Sequence, residues 1–360
     1  MRGMNGRAAS RYIACVLIAF GFASIVPTNL LADEVADDQY VVYAVGDVAI
    51  DHLPSGSPSR YAYDRVADMI YEADADAFLG LGDLQHNDGY LTDYLTYYDP
   101  YFHKLMDRTY PTTGNHDYAQ SWVAEGYFGY FGDPENCAVS ELVVQNRDSD
   151  ANPLGFYSFD IGSWHIVALN SYLAHMCNFT SDGLPEVGSG AWLQYEWLIA
   201  DLGALDESEY TGIIAMMHHP LYDWELYYRC NWIDYYDLDP QRHLWEVLYD
   251  NDVDMVLSGH NHNYQRWAPM DPDGNYDPEG VRQFVVGTGG SYLWQFPSEN
   301  PLSCTGDYPF GISTDTIANL EFGEDGYWGA LRLTLSEDSY TYEFVTIDGD
   351  VLDEGVVACH

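Results

Sequence analysis

Five short apolar runs in this chain each end in residues that bind cations. Gly46-Asp47 follows Tyr40 to Val45, and Gly82-Asp83, with His86 three residues on, follows Ala77 to Leu81. Gly114-Asn115-His116-Asp117 closes a run through Tyr110-Pro111-Thr112, His218-His219-Pro220 follows Ile213 to Met217, and Gly259-His260-Asn261-His262 follows Val253 to Leu257. Carboxylate, imidazole and amide oxygen are ligands for divalent and trivalent metals. Each block alone has an ordinary explanation, since Gly-Asp is a common turn and an Asp can satisfy loop amides. Five together, in this order, point to one site. The chemistry that needs them is two-metal hydrolysis, in which cations about 3.5 to 4 Å apart share a bridging carboxylate and activate water between them. A phosphate ester suits such a site, because the metals neutralise its oxygens while a neighbouring imidazole acts as the acid.

The elements that position these residues follow from periodicity. Continuous apolar runs of five or six residues read as strands buried on both faces. Helical spacing recurs over Arg60 to Ala73, Tyr90 to His103 (with a bend at Pro100), Ala191 to Leu205 and Pro240 to Tyr249. Gly155 to Leu169 alternates as a hairpin, Gln283 to Val286 precedes Gly287-Thr288-Gly289-Gly290, and strands are expected at Ala330 to Leu335 and Tyr340 to Ile347. Strand alternating with helix, with polar residues at the carboxyl ends of the strands, is how open α/β sheets build sites. The later strands imply a second sheet packed on the first. With no internal repeat, residues 33–360 read as one domain.

The block series resembles the calcineurin-like metallophosphoesterase superfamily, specifically the purple acid phosphatase branch and its exported bacterial relatives. The resemblance covers nearly all of residues 33–360. It implies an α/β fold of two mixed β-sheets packed as a sandwich flanked by helices, and two metal ions drawn from Fe, Zn or Mn. Position by position, it implies Asp47, Asp83, His86 and His262 at the first metal, with Asp83 bridging, and Asn115, His218 and His260 at the second. His116 matches the histidine that contacts substrate phosphate and protonates the leaving oxygen, while His219 reads as packed or at the rim. The implied activity is hydrolysis of small phosphomonoesters by a metal-bound hydroxide. A phosphodiesterase of the same fold, a noncatalytic metal- or phosphate-binding relative, and an adhesion protein using the aromatic loops are the competing readings.

The chain departs from the purple enzymes at His86. They carry there a tyrosine whose phenolate on ferric iron gives their colour, and a neutral imidazole stabilises a trivalent ion less well. The Asp-x-His habit of the wider superfamily is also absent, since residue 49 is Ala49, which makes His86 the more necessary; His52 reads as a loop residue. Tyr222, Trp224, Tyr227, Tyr228, Trp232, Tyr235 and Tyr236 form either an aromatic rim for an aryl or nucleoside leaving group or the packing of their own loop. Arg266 either orients the loop after His262 or meets a phosphate oxygen.

Bulk properties set the surroundings. Arg2, Arg7 and Arg11, then an apolar run from Ile13 to Val26 and small residues near Ala32, have the layout of a secretory signal peptide covering residues 1–32. The protein is expected to be secreted or periplasmic, without stable membrane insertion after cleavage. Asn178-Phe179-Thr180 is a glycosylation sequon. Five cysteines lie beyond the leader, and the expected pairs are Cys137 with Cys177 and Cys230 with Cys304. With 13 Lys and Arg against 57 Asp and Glu, the formal net charge is −44. Such a surface repels nucleic acid and anionic membranes, leaving small phosphate esters as the expected partners. It also repels itself, a stress that salt screens. The melting temperature should therefore rise steeply with NaCl in scanning calorimetry; a salt-independent value contradicts this reading.

Overall fold

The computed structural model describes residues 39–51, 62–180, 183–206, 208–224, 239–296 and 318–359. The leader, His52, Cys230, Cys304 and Tyr227, Tyr228, Trp232, Tyr235 and Tyr236 lie outside them. The described residues all fall in the compact unit Asp37–His360.

Among the described residues, thirteen strands form two mixed sheets. In chain order they are β1 (Tyr40–Val45), β2 (Ala77–Leu81), β3 (Thr109–Thr112), β4 (Tyr157–Ile161), β5 (Trp164–Ala168), β6 (Gly212–Met216), β7 (Met255–Ser258), β8 (Tyr264–Trp267), β9 (Arg282–Val286), β10 (Leu320–Glu324), β11 (Gly329–Leu335), β12 (Ser339–Thr346) and β13 (Val351–Ala358). The first sheet runs β13-β12-β11-β1-β2-β3 and the second β10-β8-β9-β7-β6-β5-β4. In each sheet the site-bearing strands are parallel: β1 with β2 and β2 with β3 in one, β5 through β6 and β7 to β9 in the other. All these strands therefore deliver their carboxyl ends to one edge of their sheet, and crossover segments cover the faces.

Side-chain alternation explains why these strands read as unbroken apolar runs. Ile166, Ala168, Ile214, Met216, Met255 and Leu257 point into the core shared with Phe78, Leu79, Leu331 and Leu333 of the first sheet. Val167, Leu169, Ala215, Met217 and Val256 point the other way, into a second cluster with Leu198 and Leu202 of the helix Gly190–Leu202 and with Leu244, Trp245 and Leu248 of the helix Asp239–Asp250. Both faces are buried, so apolar residues dominate on each, with His165 of β5, Ser258 of β7 and Gln283 of β9 as buried polar exceptions.

Three strands were not expected, β8, β10 and β13. Their pairing gives Arg266 its place: the guanidinium bonds Asp353 of β13 at 2.8 Å and also pairs with Glu321, while Tyr264 donates to the same Asp353 at 2.8 Å. Arg266 thus ties the two sheets together and meets no reacting group. Helix also forms at Glu125–Phe131, a stretch that reads as irregular. The helical stretch from Leu91 to Leu105 contains a π turn over Tyr94–Tyr98, and Pro100 sits in the first turn of the piece that follows. Tyr98 stacks on Phe102 and Tyr94 on Tyr130, in an aromatic cluster beneath the first sheet. The expected Cys137–Cys177 bridge is not formed. Both thiols are free: Cys137 is buried with Sγ at 3.9 Å from the Thr109 carbonyl, and Cys177 donates to Ala174 at 3.6 Å.

One ion network lies away from the strand ends. His165 on β5 bonds Asp160 at 2.7 Å and Asp201 of the helix Gly190–Leu202 at 3.0 Å, clamping the β4–β5 hairpin to that helix. Burial alone would lower its pKa, but the bonds and charges of Asp201 and Asp160 outweigh it and raise the value. A raised folded value means stability fully present below the ordinary value of about 6.5 and lost as pH climbs through the folded one. The melting-temperature deficit of His165→Gln relative to the native chain should therefore be larger at pH 5.5 than at pH 9; an equal deficit contradicts the clamp.

Candidate metal centre

The five blocks meet where the two sheets abut. Backbone hydrogen bonds join the edges directly: Gly46 N–H to Val286, Gly289 N–H to Gly46 and Ser291 N–H to Asp47. Asp47 and Asp83 leave β1 and β2 in left-handed backbone, at φ 58° and 49°, and His260 leaves β7 at φ 71°. Such conformations cost roughly 1 to 3 kcal/mol each outside glycine and cluster at functional sites. Here they turn the side chains off the strand axis and into the seam.

At one pole, Asp47 Oδ1 is buried with no hydrogen-bond donor. His262 Nε2 lies 3.3 Å from it and His86 Nε2 3.8 Å, and these two ring nitrogens are 2.9 Å apart. His262 Nδ1 donates to the Tyr292 carbonyl at 2.6 Å, which leaves a lone pair on its Nε2. At the other pole, Asn115 Oδ1 lies 3.1 Å from His218 Nε2 and 3.0 Å from His260 Nδ1. His218 Nδ1 donates to the Leu81 carbonyl at 2.9 Å, so its Nε2 also presents a lone pair. Asp83 stands between the poles. Its Oδ1 accepts from the His116 amide at 2.9 Å, while Oδ2 lies 3.2 Å from His218 Nε2 and 3.9 Å from His86 Nε2.

The electrostatics say the same. Burial would raise Asp83, yet the imidazoles of His218, His116 and His86 hold its carboxyl well below the usual carboxylate range. Burial would lower His218, yet the Asp83 carboxylate pushes it up to about 9, so a proton takes the Nε2 lone pair wherever a cation does not. His86 and His260 are driven well below the usual value, by burial first and then by neighbouring imidazoles. Lone pairs and carboxylate oxygens converging in a buried seam need positive charge between them. Two cations fit these donors: Asp47, Asp83, His86 and His262 could hold one, and Asp83, Asn115, His218 and His260 the other.

The remaining expected residues find distinct places. His116 is partly exposed, with Nδ1 bonded to the Asn87 carbonyl at 2.5 Å and Nε2 at 4.0 Å from Asp83 Oδ2. Its ring lies 4.0 Å from that of His86. His219 is buried and packed, with Nδ1 at 2.8 Å from Ser171 Oγ and its ring 4.5 Å from His260. Tyr222 packs inward against Trp245, so this part of the aromatic loop is core and not rim.

A model of the calcineurin-like phosphoesterase family matches residues 40–264. The chain belongs to that family. Its sequence is similar to purple acid phosphatase 21 of Arabidopsis thaliana, 28% identical over 234 residues, covering 63% of this chain and 46% of that protein. It is also similar to purple acid phosphatase 23 of the same plant, 32% identical over 42% of this chain and 29% of that protein. A further relative, named probable inactive purple acid phosphatase 9, is 24% identical over 76% of this chain and 42% of its own length. The chain spans less than half the length of these curated relatives. In fold it is similar to a purple acid phosphatase from yellow lupin seeds, at TM-score 0.61 and 18% identity, covering 89% of this chain and 54% of that one. GAP50 of Plasmodium has a TM-score of 0.57 at 13% identity, covering 89% of each chain.

In this member of the family His86, at the position where the resemblance to the purple enzymes implies tyrosine, turns inward, with Nε2 2.9 Å from His262 Nε2. Several supporting residues escaped the sequence reading. Asp117 is buried below the seam, accepts from Gly114 N–H at 2.7 Å and from the Tyr94 hydroxyl, and is pushed up to about 7 by burial and then by Asp83. Tyr292 and Trp294 orient His262, one through its carbonyl and the other by stacking at 4.4 Å. Only Asp117 had a signal, its place in the Gly-Asn-His-Asp block. The glycine of that block is there for space: a Cβ on Gly114 would stand 2.0 Å from Asp83 Oδ1 and 2.6 Å from its amide nitrogen. Gly114→Ala should therefore strip bound metal, read by plasma emission spectroscopy, while far-ultraviolet circular dichroism stays native; full metal content in that variant would contradict the packing described.

Proposed function

We propose that the protein is an exported, dimetal-dependent phosphatase acting on small phosphomonoesters. The observation that carries this reading is the convergence of ring-nitrogen lone pairs on Asp47 Oδ1 and Asp83 Oδ2, an arrangement made for two cations. Bound there, the cations would supply Lewis acidity toward the phosphoryl oxygens and activate water. Asp47, Asp83, His86 and His262 would hold the first, and Asp83, Asn115, His218 and His260 the second.

The chain's own contribution to the reaction centres on His116. Its Nδ1–H is fixed by the Asn87 carbonyl, so the ring cannot rotate away and Nε2 faces the space in front of Asp83. From there it holds a phosphoryl oxygen and delivers a proton to the leaving oxygen. Asp117 braces the same turn through Gly114. The acidic surface favours small substrates over polyanions, and among the described residues no helix is long and apolar enough to cross a membrane. Export rests on the leader sequence.

The name of one relative as probable inactive keeps the noncatalytic reading in view; the complete donor set speaks for catalysis. After loading with Mn, Zn or Fe in turn, the protein should hydrolyse an aryl phosphomonoester with higher kcat/KM than the matching diester. The opposite preference would make it a phosphodiesterase, and no hydrolysis with any of the three would leave a binding protein. His116→Ala should lower kcat by roughly 10² to 10⁴ at unchanged metal content. Because His86 replaces the tyrosine, iron-loaded protein should show no strong visible tyrosinate-to-iron absorption band.

A further inference from the structure

His219 stands beside the second pole with one ring nitrogen unmatched. It follows His218 beyond the end of β6, where the alternation of a strand no longer sends neighbours to opposite faces. Four rings box it in: His260 at 4.5 Å, His175 at 4.7 Å, His218 at 4.9 Å and Tyr172 at 6.2 Å. His175 is itself fastened to the helix Asp239–Asp250, with Nε2 at 2.9 Å from the Gln241 side-chain nitrogen. Ser171 holds the other edge of the ring: its Oγ accepts from the His219 backbone N–H at 3.0 Å and lies 2.8 Å from Nδ1.

Nε2 is left over, buried and with no hydrogen-bond partner. Buried polar atoms are normally paired, and a histidine held by an oxygen at one nitrogen while the other is bare is the usual arrangement of a metal ligand. The Ser171 hydroxyl oxygen has two lone pairs, so it accepts Nδ1–H as well as the backbone N–H and leaves the His219 lone pair on Nε2. His218 and His262 follow the same scheme, each with Nδ1 on a carbonyl. A ring nitrogen of His219 also lies within 4.8 Å of one on His218 and one on His260, a spacing from which small side-chain rotations bring all three onto one cation. The ring is not among the ligands that the resemblance to the purple enzymes implies.

We propose that His219 is a fifth ligand of the second cation, bound through Nε2 beside Asp83, Asn115, His218 and His260. This rests on the dimetal reading and goes beyond it by fixing the kind of cation. The second pole then presents three imidazoles with one carboxylate and one amide oxygen. Imidazole suits Zn, Fe, Ni and Cu, whereas carboxylate, carbonyl and water suit Mn. The second pole therefore selects Zn over Mn, and His219 supplies the margin.

Two measurements on the full chain test this. Proton NMR of the Co(II)-loaded protein counts the ligating rings, because an imidazole bound through one nitrogen carries a hyperfine-shifted N–H on the other. The native protein should show such a signal from each of His86, His218, His219, His260 and His262, and His219→Gln should lack one of them. A native spectrum with only four such signals overturns the proposal, and that count needs no variant to fold. In competition between Zn and Mn, read by plasma emission spectroscopy, the preference for Zn at the second bound ion should fall about tenfold in His219→Gln; an unchanged preference overturns the selectivity. If the native protein binds neither ion, the dimetal reading falls and this inference with it. Two bound cations with four signals leave that reading standing and remove His219 alone.

Discussion

Two buried carboxylates govern this structure. Oxygens of Asp47 and Asp83 and a ring nitrogen of His218 come within 4.8 Å of one another, and Asp47 Oδ1 has no donor at all. Uncompensated charge in such a place costs several kcal/mol, and three of the converging residues add left-handed backbone. Positive charge relieves it, from the His218 imidazolium beside Asp83 or from a bound cation. The protein without cations is accordingly the less stable form, and any cation that binds the folded state and not the unfolded one shifts the balance by mass action.

Each proposed pole draws on both sheets. The first combines Asp47 and Asp83 from the ends of β1 and β2 with His262 beyond β7, and the second combines Asp83 and Asn115 with His218 and His260. The centre is therefore also a fastening between layers, continuous with the backbone bonds that Gly46, Gly289 and Ser291 make across the seam. The Gly287-Thr288-Gly289-Gly290 stretch finds its purpose there: a Cβ at Gly289 would stand 2.4 Å from the Gly46 carbonyl oxygen and close the route by which the sheets approach. Arg266 and Tyr264, both bound to Asp353, also tie the two sheets together.

How much of this was legible depended on where the signal resides. Strands buried on both faces write themselves as apolar runs, so β1, β2, β6, β7 and β9 and the residues at their ends could be read directly. The missed strands are those whose polar residues have partners elsewhere: Arg266 in β8 and Asp353 in β13 satisfy each other across the sheets, and β10 is a short strand carrying Glu321, which pairs with Arg266, and Glu324. Ligand types could be recognised one by one, whereas Tyr292 acts through its carbonyl and Trp294 through stacking, and neither leaves a mark in residue order. The Cys137–Cys177 expectation failed because sequence spacing carries no information on the Cα separation that a disulfide requires.

The π turn at Tyr94–Tyr98 has a consequence for how this region can vary. In a regular α-helix, positions four apart drift by about 40° around the axis at each step, so Tyr94, Tyr98 and Phe102 would fan out. The wider turn absorbs that drift, keeping Tyr98 flat against Phe102 while Tyr94 reaches up to Asp117 under the seam. The device works by residue number, not residue type. This helix is thus more tolerant of changed side chains than of a changed length, and loss of a single residue here would turn Tyr94 out from beneath a centre it never touches.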